Sequence, residues 1–250
     1  MKFASISDLH IKSSQDPSFE ILNHFLTYCL EHEITHLALL GDIFDLMIGP
    51  HIEYYNNFQH SFDLMTAALN KGVKIYYLEG NHDFHLGGFF KLIGFTKFEN
   101  FSYLKHATRI QLEHKIIYIS HGDDLGSSSL GYNIYSRIFL RGAFVGFLSG
   151  VAPYKLVTGI GHSWSQHSRT KKRLKRQDDS VIRQKFRDAA QRFWKKKKFD
   201  VLIMGHSHLE DSFSLRDGVM VLNNGDPTCH GVCAYVDAFN SKLIPFASVP

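Results

Sequence analysis

Five apolar segments of this chain each end abruptly in aspartate, asparagine or histidine, and this recurring pattern restricts the fold more than any other feature. A buried parallel strand reads as a continuous apolar run, and its carboxyl end delivers the next side chains to the sheet edge where open α/β folds place their sites. The polar residues that follow the five runs are Asp8 and His10, Asp42, Asn81 to Asp83, His121, and His206 with His208. The pattern therefore predicts an α/β fold in which five strand ends meet at one site.

The segments between these strand ends alternate between strand-like and helix-like periodicity. The predicted elements are strands over residues 2–7, 36–40 and 73–78 and helices over 18–33 and 54–70. Such alternation implies right-handed crossovers and a mainly parallel sheet. Further along, the spacing predicts a hairpin from strands over 107–112 and 115–119, a strand over 199–204 and a turn at 216–218.

Residues 125–198 interrupt this pattern and are interpreted as a helical insertion, a lid mounted over the strand-end site. Residues 131–157 are rich in aromatic and aliphatic side chains. Residues 169–198 hold 14 Lys or Arg and three Asp, a net charge of +11. The predicted domain organisation is a core of residues 1–124 and 199–250 with this basic insertion between its two parts.

Composition favours an intracellular globular protein. Hydrophobic content of 44% with 21% charged residues is ordinary for a folded domain. Three cysteines form no disulfide framework, which favours a reducing compartment. Neither a signal-peptide pattern nor an uncharged apolar run of roughly 18 residues occurs, so we expect a cytoplasmic location. Cys229, His230 and Cys233 have no fourth partner nearby, so we expect strand residues there and no structural zinc site.

The clustered donor types predict two divalent metal ions. Two ions about 3.5–4 Å apart can stabilise both the attacking and the leaving oxygen of a phosphoryl transfer. Such a pair needs one shared ligand, and the carboxylate of Asp42 is the candidate. Asp8 and His10 are two residues apart, which lets both reach one ion from an extended segment. Mixed Asp, Asn and His donors without a thiolate suit Mn, Fe, Zn or Co.

The motifs D-x-H, G-D-x-x-D, G-N-H-D, H-G-D and G-H-x-H occur here in that order, and together they resemble the calcineurin-like metallophosphoesterase superfamily. The resemblance implies a two-sheet α/β/β/α sandwich. It also implies that His82 contacts the phosphate as a catalytic residue and that Asp83 orients His82 from behind. The implied ligands are Asp8, His10, Asp42 and His208 for one ion and Asp42, Asn81, His121 and His206 for the other.

A closer resemblance is to UDP-2,3-diacylglucosamine hydrolases, carried by residues 41–49, 80–87 and 121–123 and by the basic insertion. It implies manganese-dependent cleavage of a nucleotide-linked glycolipid to UMP and 2,3-diacylglucosamine 1-phosphate (lipid X), by an enzyme peripheral to the cytoplasmic face of the inner membrane. Those hydrolases commonly carry arginine where His82 stands. The substrate-binding candidates are Asn81, His82, Ser165, Arg169, Lys172 and His206.

Several alternatives remain open from the sequence. The enzyme could act on another nucleotide, phosphodiester or phosphoprotein, and a non-catalytic binding scaffold ranks low because every ligand is retained. The basic run is either a solvated helix face or a contact for anionic lipid or substrate. Nucleic acid is disfavoured as a partner because aromatic residues are not interleaved with the basic ones. Asp45 and Asp123 are expected to support the ligands, and the oligomeric state is left open.

Overall fold

The described part of the chain contains two large β-sheets, a two-stranded β-ribbon and seven α-helices. The computed structural model describes residues 1–126, 152–155 and 178–246. The strands are β1 (Phe3–Ile6), β2 (His36–Leu39), β3 (Met47–Ile48), β4 (Lys74–Leu78), β5 (Asp83–Phe84), β6 (Phe101–Leu104), β7 (Thr108–Leu112), β8 (Lys115–Ile119), β9 (Val201–Met204), β10 (Glu210–Arg216), β11 (Val219–Asn224), β12 (Val232–Val236) and β13 (Ser241–Pro245). The helices are α1 (Pro17–Glu31), α2 (Glu53–Asn57), α3 (Gln59–Asn70), α4 (Gly87–Leu92), α5 (Asp123–Gly126), α6 (Asp179–Lys197) and α7 (Pro227–His230), with a 3₁₀ turn at Phe95–Lys97.

The predicted parallel sheet is confirmed and forms one half of a sandwich. Six strands follow the order β13-β12-β1-β2-β4-β6, and β1, β2, β4 and β6 are parallel. Five strands follow the order β10-β11-β9-β8-β7, in which β8, β9 and β11 are parallel and the predicted β7–β8 hairpin is antiparallel. Strand β6 was not predicted, and β3 pairs with β5 as a separate two-stranded ribbon.

Alternating side chains along the strands fill three apolar layers. Phe3 and Ala38 face the other sheet and pack with residues such as Ile117 and Ile203. Their neighbours in sequence face the opposite side, where α1, α3 and α4 cover the six-stranded sheet. Helix α6 covers the outer face of the five-stranded sheet through Phe186 and its neighbours. This α/β/β/α arrangement is the predicted fold class.

Local sequence explains where α1 begins and where the predicted second helix breaks. Asp16 caps α1 by accepting a hydrogen bond from the Ser18 backbone N–H (3.0 Å), and Pro17 occupies the first helical turn. The single helix predicted over 54–70 is wrong, because α2 ends at Asn57 and α3 starts at Gln59. Phe58 between them leaves helical geometry (φ −125°), and its buried ring packs on Phe44 with centroids 4.6 Å apart.

Only part of the predicted insertion is described: residues 125–126, 152–155 and 178–198. Its described helix, α6, is capped by Asp178 and joined to β10 by Arg187, whose guanidinium donates two hydrogen bonds of 2.8 and 2.9 Å to the Asp211 carboxylate. The domain boundaries stay a prediction.

The strand prediction for residues 229–233 is wrong at its start, because Cys229 lies in the short helix α7 and only Cys233 lies on a strand. Asp226 caps α7 and Pro227 begins it, which is a helix-start signal that was overlooked. Across residues 1–126, 152–155 and 178–246, none of the helices combines the length and the apolar character that a bilayer-crossing segment needs.

Candidate metal centre

The predicted ligands follow five strands whose ends lie together. The segment after β1 runs beside the segment after β2, with hydrogen bonds from the Asp8 N–H to the Gly41 carbonyl (3.1 Å) and from the His10 N–H to the Asp42 carbonyl (2.9 Å). The other sheet joins this edge through the His206 backbone N–H, which donates to the Asp8 carboxylate at 2.8 Å. Both sheets therefore contribute ligands to one region.

Five of the predicted ligands have left-handed backbone conformations. The φ values are 58° at Asp8, 48° at His10, 53° at Asp42, 66° at His206 and 56° at His208. Non-glycine residues adopt this region rarely and at a cost of roughly 1–3 kcal/mol each, and such strain concentrates at functional sites. The conformation turns each side chain sharply at the end of its strand, and the hydrogen bonds between the two sheets hold it there.

A first donor cluster consists of Asp8, His10 and His208, whose donor atoms lie within 4.8 Å of one another. Asp8 Oδ1 is 3.9 Å from His208 Nε2, and the rings of His10 and His208 stack with centroids 5.1 Å apart. Asp8 is 1% exposed, yet its Oδ1 accepts no hydrogen bond from the described residues. A buried carboxylate oxygen of this kind needs a partner, and a cation beside two imidazoles would supply it.

A second cluster consists of Asp42, His121 and His206. Three donor atoms converge on His121 Nε2: Asn81 Oδ1 at 3.3 Å, Asp42 Oδ2 at 3.5 Å and His206 Nδ1 at 3.2 Å. His121 Nδ1 lies 2.9 Å from the Leu40 carbonyl. Since a carbonyl only accepts, Nδ1 carries the proton and Nε2 is left to coordinate, which is the usual arrangement of a metal-bound histidine.

Asp42 lies between the two clusters. Its Oδ2 is 3.5 Å from His121 Nε2 in the second cluster and 3.8 Å from His10 Nε2 in the first. Its Oδ1 accepts a hydrogen bond of 2.9 Å from the His82 backbone N–H, which fixes the carboxylate plane. The two clusters and the shared Asp42 reproduce the division of ligands that the motifs imply, and coordination itself stays a prediction.

Electrostatics show that the centre favours a positive charge. Burial raises the pKa of Asp8 above its usual range. At Asp42 burial acts in the same direction, but His121, joined by His82 and His10, outweighs it, and together they hold the pKa of the carboxyl well below its usual range. Burial lowers the pKa of His121, but the carboxylates of Asp42, Asp8 and Asp123 together outweigh burial, so that pKa lies well above its ordinary value. Divalent cations would satisfy the same carboxylates, and the hard oxygen and imidazole donors fit them.

The expectation that Asp83 orients His82 is wrong. The Asp83 carboxylate is fully buried and accepts four hydrogen bonds, from the backbone N–H groups of Asp42 (2.8 Å), Ile43 (2.9 Å) and Gly80 (2.9 Å) and from the Tyr77 hydroxyl (2.8 Å). Burial, together with the nearby Asp42 carboxylate, raises the pKa of Asp83 to about 7, and the four donors oppose that shift. Asp83 therefore ties the loop after β2 to the loop after β4 and positions Asp42.

Asp45 takes the role that was expected of Asp83. The His82 ring is one-fifth exposed, and its Nδ1 donates to the Asp45 carbonyl at 2.8 Å. The Asp45 carboxylate lies 3.8 Å from the same nitrogen and 3.9 Å from His10 Nδ1. The His82 and His10 rings meet edge to face with centroids 4.8 Å apart, so His82 stands at the rim of the first cluster. The signal for Asp45 was present in the second aspartate of G-D-x-x-D.

Other supporting residues were missed. Ser7 donates to Asp8 Oδ2 at 2.6 Å, and Asn223 donates through Nδ2 to the Gly205 carbonyl at 3.1 Å, which steadies the loop that carries both histidines of G-H-x-H. Asn223 ends the apolar run of β11, which is the signal that identified the ligands. Asp123 is buried at the start of α5, and its supporting role stays a prediction. The substrate-binding candidates Ser165, Arg169 and Lys172 lie outside the described residues.

Comparison with known proteins agrees with this geometry. Residues 1–210 match the sequence profile of the calcineurin-like phosphoesterases. The chain is 30% identical over 206 residues to a UDP-2,3-diacylglucosamine hydrolase from Haemophilus influenzae, with 82% of each chain covered. It is 28% identical over 251 residues to a UDP-2,3-diacylglucosamine hydrolase from Pseudomonas savastanoi pv. phaseolicola, which covers 98% of this chain and 96% of the relative. A solved structure of an archaeal phosphodiesterase superposes with a TM-score of 0.51 at 14% identity, covering 98% of this chain and 99% of that one, and shows similarity of fold alone.

Proposed function

Because the chain belongs to the calcineurin-like phosphoesterase family and is a metal-dependent hydrolase, we propose that it hydrolyses the pyrophosphate of UDP-2,3-diacylglucosamine. Water forms a new P–O bond at one phosphorus while the bond from that phosphorus to the bridging oxygen breaks. The products are UMP and 2,3-diacylglucosamine 1-phosphate. The observation that carries the proposal is the position of Asp42 Oδ2, which lies within 3.8 Å of an imidazole nitrogen in each of two donor clusters.

The two clusters would hold two divalent ions. Asp8, His10 and His208 would bind the first, Asn81, His121 and His206 the second, and Asp42 both. Bound there, the ions would polarise the phosphoryl group and offset its negative charge. The donor set, with oxygen and imidazole ligands and no thiolate, suits Mn²⁺, with Fe, Zn or Co as the alternatives.

His82 would bind the phosphoryl group from the rim of the first cluster. Its Nδ1 is committed to the Asp45 carbonyl, so Nε2 is the atom that meets the substrate. The leaving group of a pyrophosphate is itself a phosphate, which departs readily without a proton. For this substrate we therefore assign His82 to orienting the phosphoryl group, and protonation of a leaving oxygen would matter only for an alcohol leaving group.

The location of the enzyme forms part of the proposal. A substrate with two acyl chains resides in a membrane, so a cytoplasmic enzyme acting on it would associate with the bilayer surface. Helix α6 offers Lys195, Lys196 and Lys197 in its last turn, and such groups attract anionic lipid headgroups at about 1 kcal/mol per charge. Enzyme binding to vesicles that contain anionic lipid, and its loss at high salt, would test this contact.

A second candidate is hydrolysis of another phosphodiester or nucleotide. Histidine at position 82 favours this second candidate, because UDP-2,3-diacylglucosamine hydrolases commonly carry arginine at the corresponding position.

The test that separates the two candidates is manganese-dependent release of UMP from UDP-2,3-diacylglucosamine, measured beside hydrolysis of a soluble bis-aryl phosphodiester. We expect fast UMP release, slow diester cleavage, and loss of both activities in Asp42→Ala. Asp63→Ala, an exposed carboxylate on α3, is the matched control and should retain both. Diester cleavage without UMP release would favour the second candidate, and an active, metal-loaded Asp42→Ala enzyme would refute the metal assignment.

A further inference from the structure

A pocket of about 270 Å³ opens beside the metal centre, on the side of the first donor cluster. One wall is the loop of Lys12 to Gln15 that follows the predicted ligand His10, and Asp45 and Leu46 form the edge nearest the centre. The opposite wall contains Tyr54, Asn57 and Tyr154. The lining thus combines an ammonium group, hydroxyls, amides and aromatic rings.

The pocket adjoins the centre through Asp45. Asp45 lines it, and the Asp45 carboxylate is 3.9 Å from His10 Nδ1 and 3.8 Å from His82 Nδ1. Lys12 is two residues from His10, so their Cα atoms are at most about 7.6 Å apart. The Lys12 ammonium forms no salt bridge with the described residues, although its backbone N–H bonds to Asp16 at 3.1 Å. A ligand with a phosphate at the metal centre can therefore extend into the pocket past Lys12.

Both walls are held in place. The Asp16 carboxylate binds the backbone N–H groups of Lys12 and Ser18, which ties the loop to the start of α1. On the other side, Asn57 Nδ2 donates to the Tyr154 hydroxyl at 2.9 Å, and the Tyr154 ring meets the Tyr54 ring nearly at right angles with centroids 5.3 Å apart. Tyr154 remains partly exposed, so a preformed aromatic surface borders the opening.

We propose that this pocket binds the nucleoside of the nucleotide-linked substrate. The base would pack on Tyr154, and its edge would meet the amide of Asn57. Aromatic stacking combined with amide hydrogen bonds is the general way in which proteins bind a single base, and a carboxamide can both donate to and accept from a uracil edge. Lys12 would offset the charge of the adjoining phosphate. This inference rests on the proposed function and names the half of the substrate that this pocket binds.

The other half of the substrate fits the pocket poorly. Drug-sized ligands occupy pockets of about 300–1,000 Å³, so the available volume suits one compact group. Two long acyl chains would need more space and an apolar lining, whereas Lys12, Ser13, Ser14, Gln15 and Asn57 make this lining polar.

The test is the affinity of the manganese-loaded protein for UMP, measured calorimetrically, with inorganic phosphate as the second probe. Loss of one stacking ring costs about tenfold in affinity. We expect Tyr154→Ala to raise the Kd of UMP by about that factor and to change the Kd of phosphate less than twofold. Tyr154→Phe should keep most of the UMP affinity because the ring remains. The matched control is Tyr28→Ala, which removes a partly buried ring from a separate pocket between α1 and β13.

Two surface variants make the test independent of any folding defect at Tyr154. Asn57 and Lys12 are exposed. Asn57→Ala should weaken UMP binding at least threefold more than phosphate binding, whereas Lys12→Ala should weaken the binding of both probes, because Lys12 faces the phosphate that they share. Equal effects of Tyr154→Ala or Asn57→Ala on both probes, no effect in any variant, or no binding of UMP to the wild-type protein would overturn the proposal. If the wild-type enzyme releases UMP from UDP-2,3-diacylglucosamine while these variants bind UMP normally, the pocket assignment alone fails. If UMP binding depends on the pocket but that substrate is not cleaved, the substrate assignment alone fails.

Discussion

Replacing Asp83 by asparagine should destabilise the fold and displace Asp42. Oδ1 accepts from the backbone N–H groups of Asp42 and Gly80, and Oδ2 accepts from the Ile43 N–H and the Tyr77 hydroxyl. An asparagine keeps only one acceptor atom. Its best placement puts that oxygen at the Oδ1 position, and the Tyr77 hydroxyl can rotate to accept from the new NH₂ group. The Ile43 N–H then faces a donor inside the core.

The size of the effect follows from these four bonds. A buried donor left without an acceptor costs about 1–3 kcal/mol. The two remaining bonds lose their charged acceptor, but the neutral amide also removes the burial of charge that raises the pKa of Asp83, so these two effects oppose each other. The free energy of unfolding should therefore fall by about 1–3 kcal/mol. Proteins of this kind have roughly 5–15 kcal/mol in total, so we expect the variant to fold but with a much smaller margin.

Urea unfolding of the metal-free proteins measures this change without a contribution from bound ions. With a slope of about 3 kcal/mol per molar urea, the midpoint should fall by about 0.3–1 M. Asp217→Asn, at an exposed turn between β10 and β11, is the control and should have the same urea midpoint as the wild-type protein. A free energy of unfolding for Asp83→Asn within about 0.5 kcal/mol of wild type would refute the role assigned to the four hydrogen bonds.

Two further predictions concern close packing and pH. A Cβ at Gly80 would collide with the Asp42 carboxylate and backbone nitrogen, so Gly80→Ala should reduce kcat/KM at least tenfold. Gly87→Ala is the control, because its Cβ would meet the Tyr103 ring at an ordinary 3.5 Å, and it should keep the wild-type kcat/KM. Equal kcat/KM values for the two variants would contradict the close approach at Gly80. Burial, reinforced by the charge of Lys74, lowers the pKa of His36 from 6.5 to about 4. Between these pH values the His36 side chain binds a proton in the unfolded chain but not in the folded one, so the stability of the fold should decrease as the pH drops from 6.5 to 4. In thermal melting curves over this pH range, the melting temperature of His36→Gln should decrease less than that of the wild-type protein.

The sequence predicted which strand ends carry the candidate ligands, because that signal is local. Each is an apolar run followed directly by a donor side chain, and parallel strands bring such ends together whatever their order in the sheet. The same reasoning located β1, β2, β4, β8 and β9 to within a residue or two of their bounds.

Contacts between distant segments carried no comparable signal. Asp83 was assigned to its neighbour in the chain, His82, whereas its partners Asp42 and Ile43 lie about 40 residues away on another loop. The break at Phe58 depends on a ring packing against Phe44, which helical periodicity alone does not reveal. The packing of Tyr154 on Tyr54 joins segments 100 residues apart, and without it the pocket beside the centre could not be predicted.

The most direct test of the two-ion centre is the manganese content of the purified protein after equilibration with Mn²⁺ and removal of the unbound metal. The wild-type chain should retain two ions, His208→Ala one tightly bound ion, and Asp42→Ala fewer than one, because Asp42 belongs to both clusters. His24→Ala, an exposed histidine on α1, should retain two. A wild-type chain that binds one ion or none, or an Asp42→Ala chain that still binds two, would contradict a dinuclear centre built on Asp42.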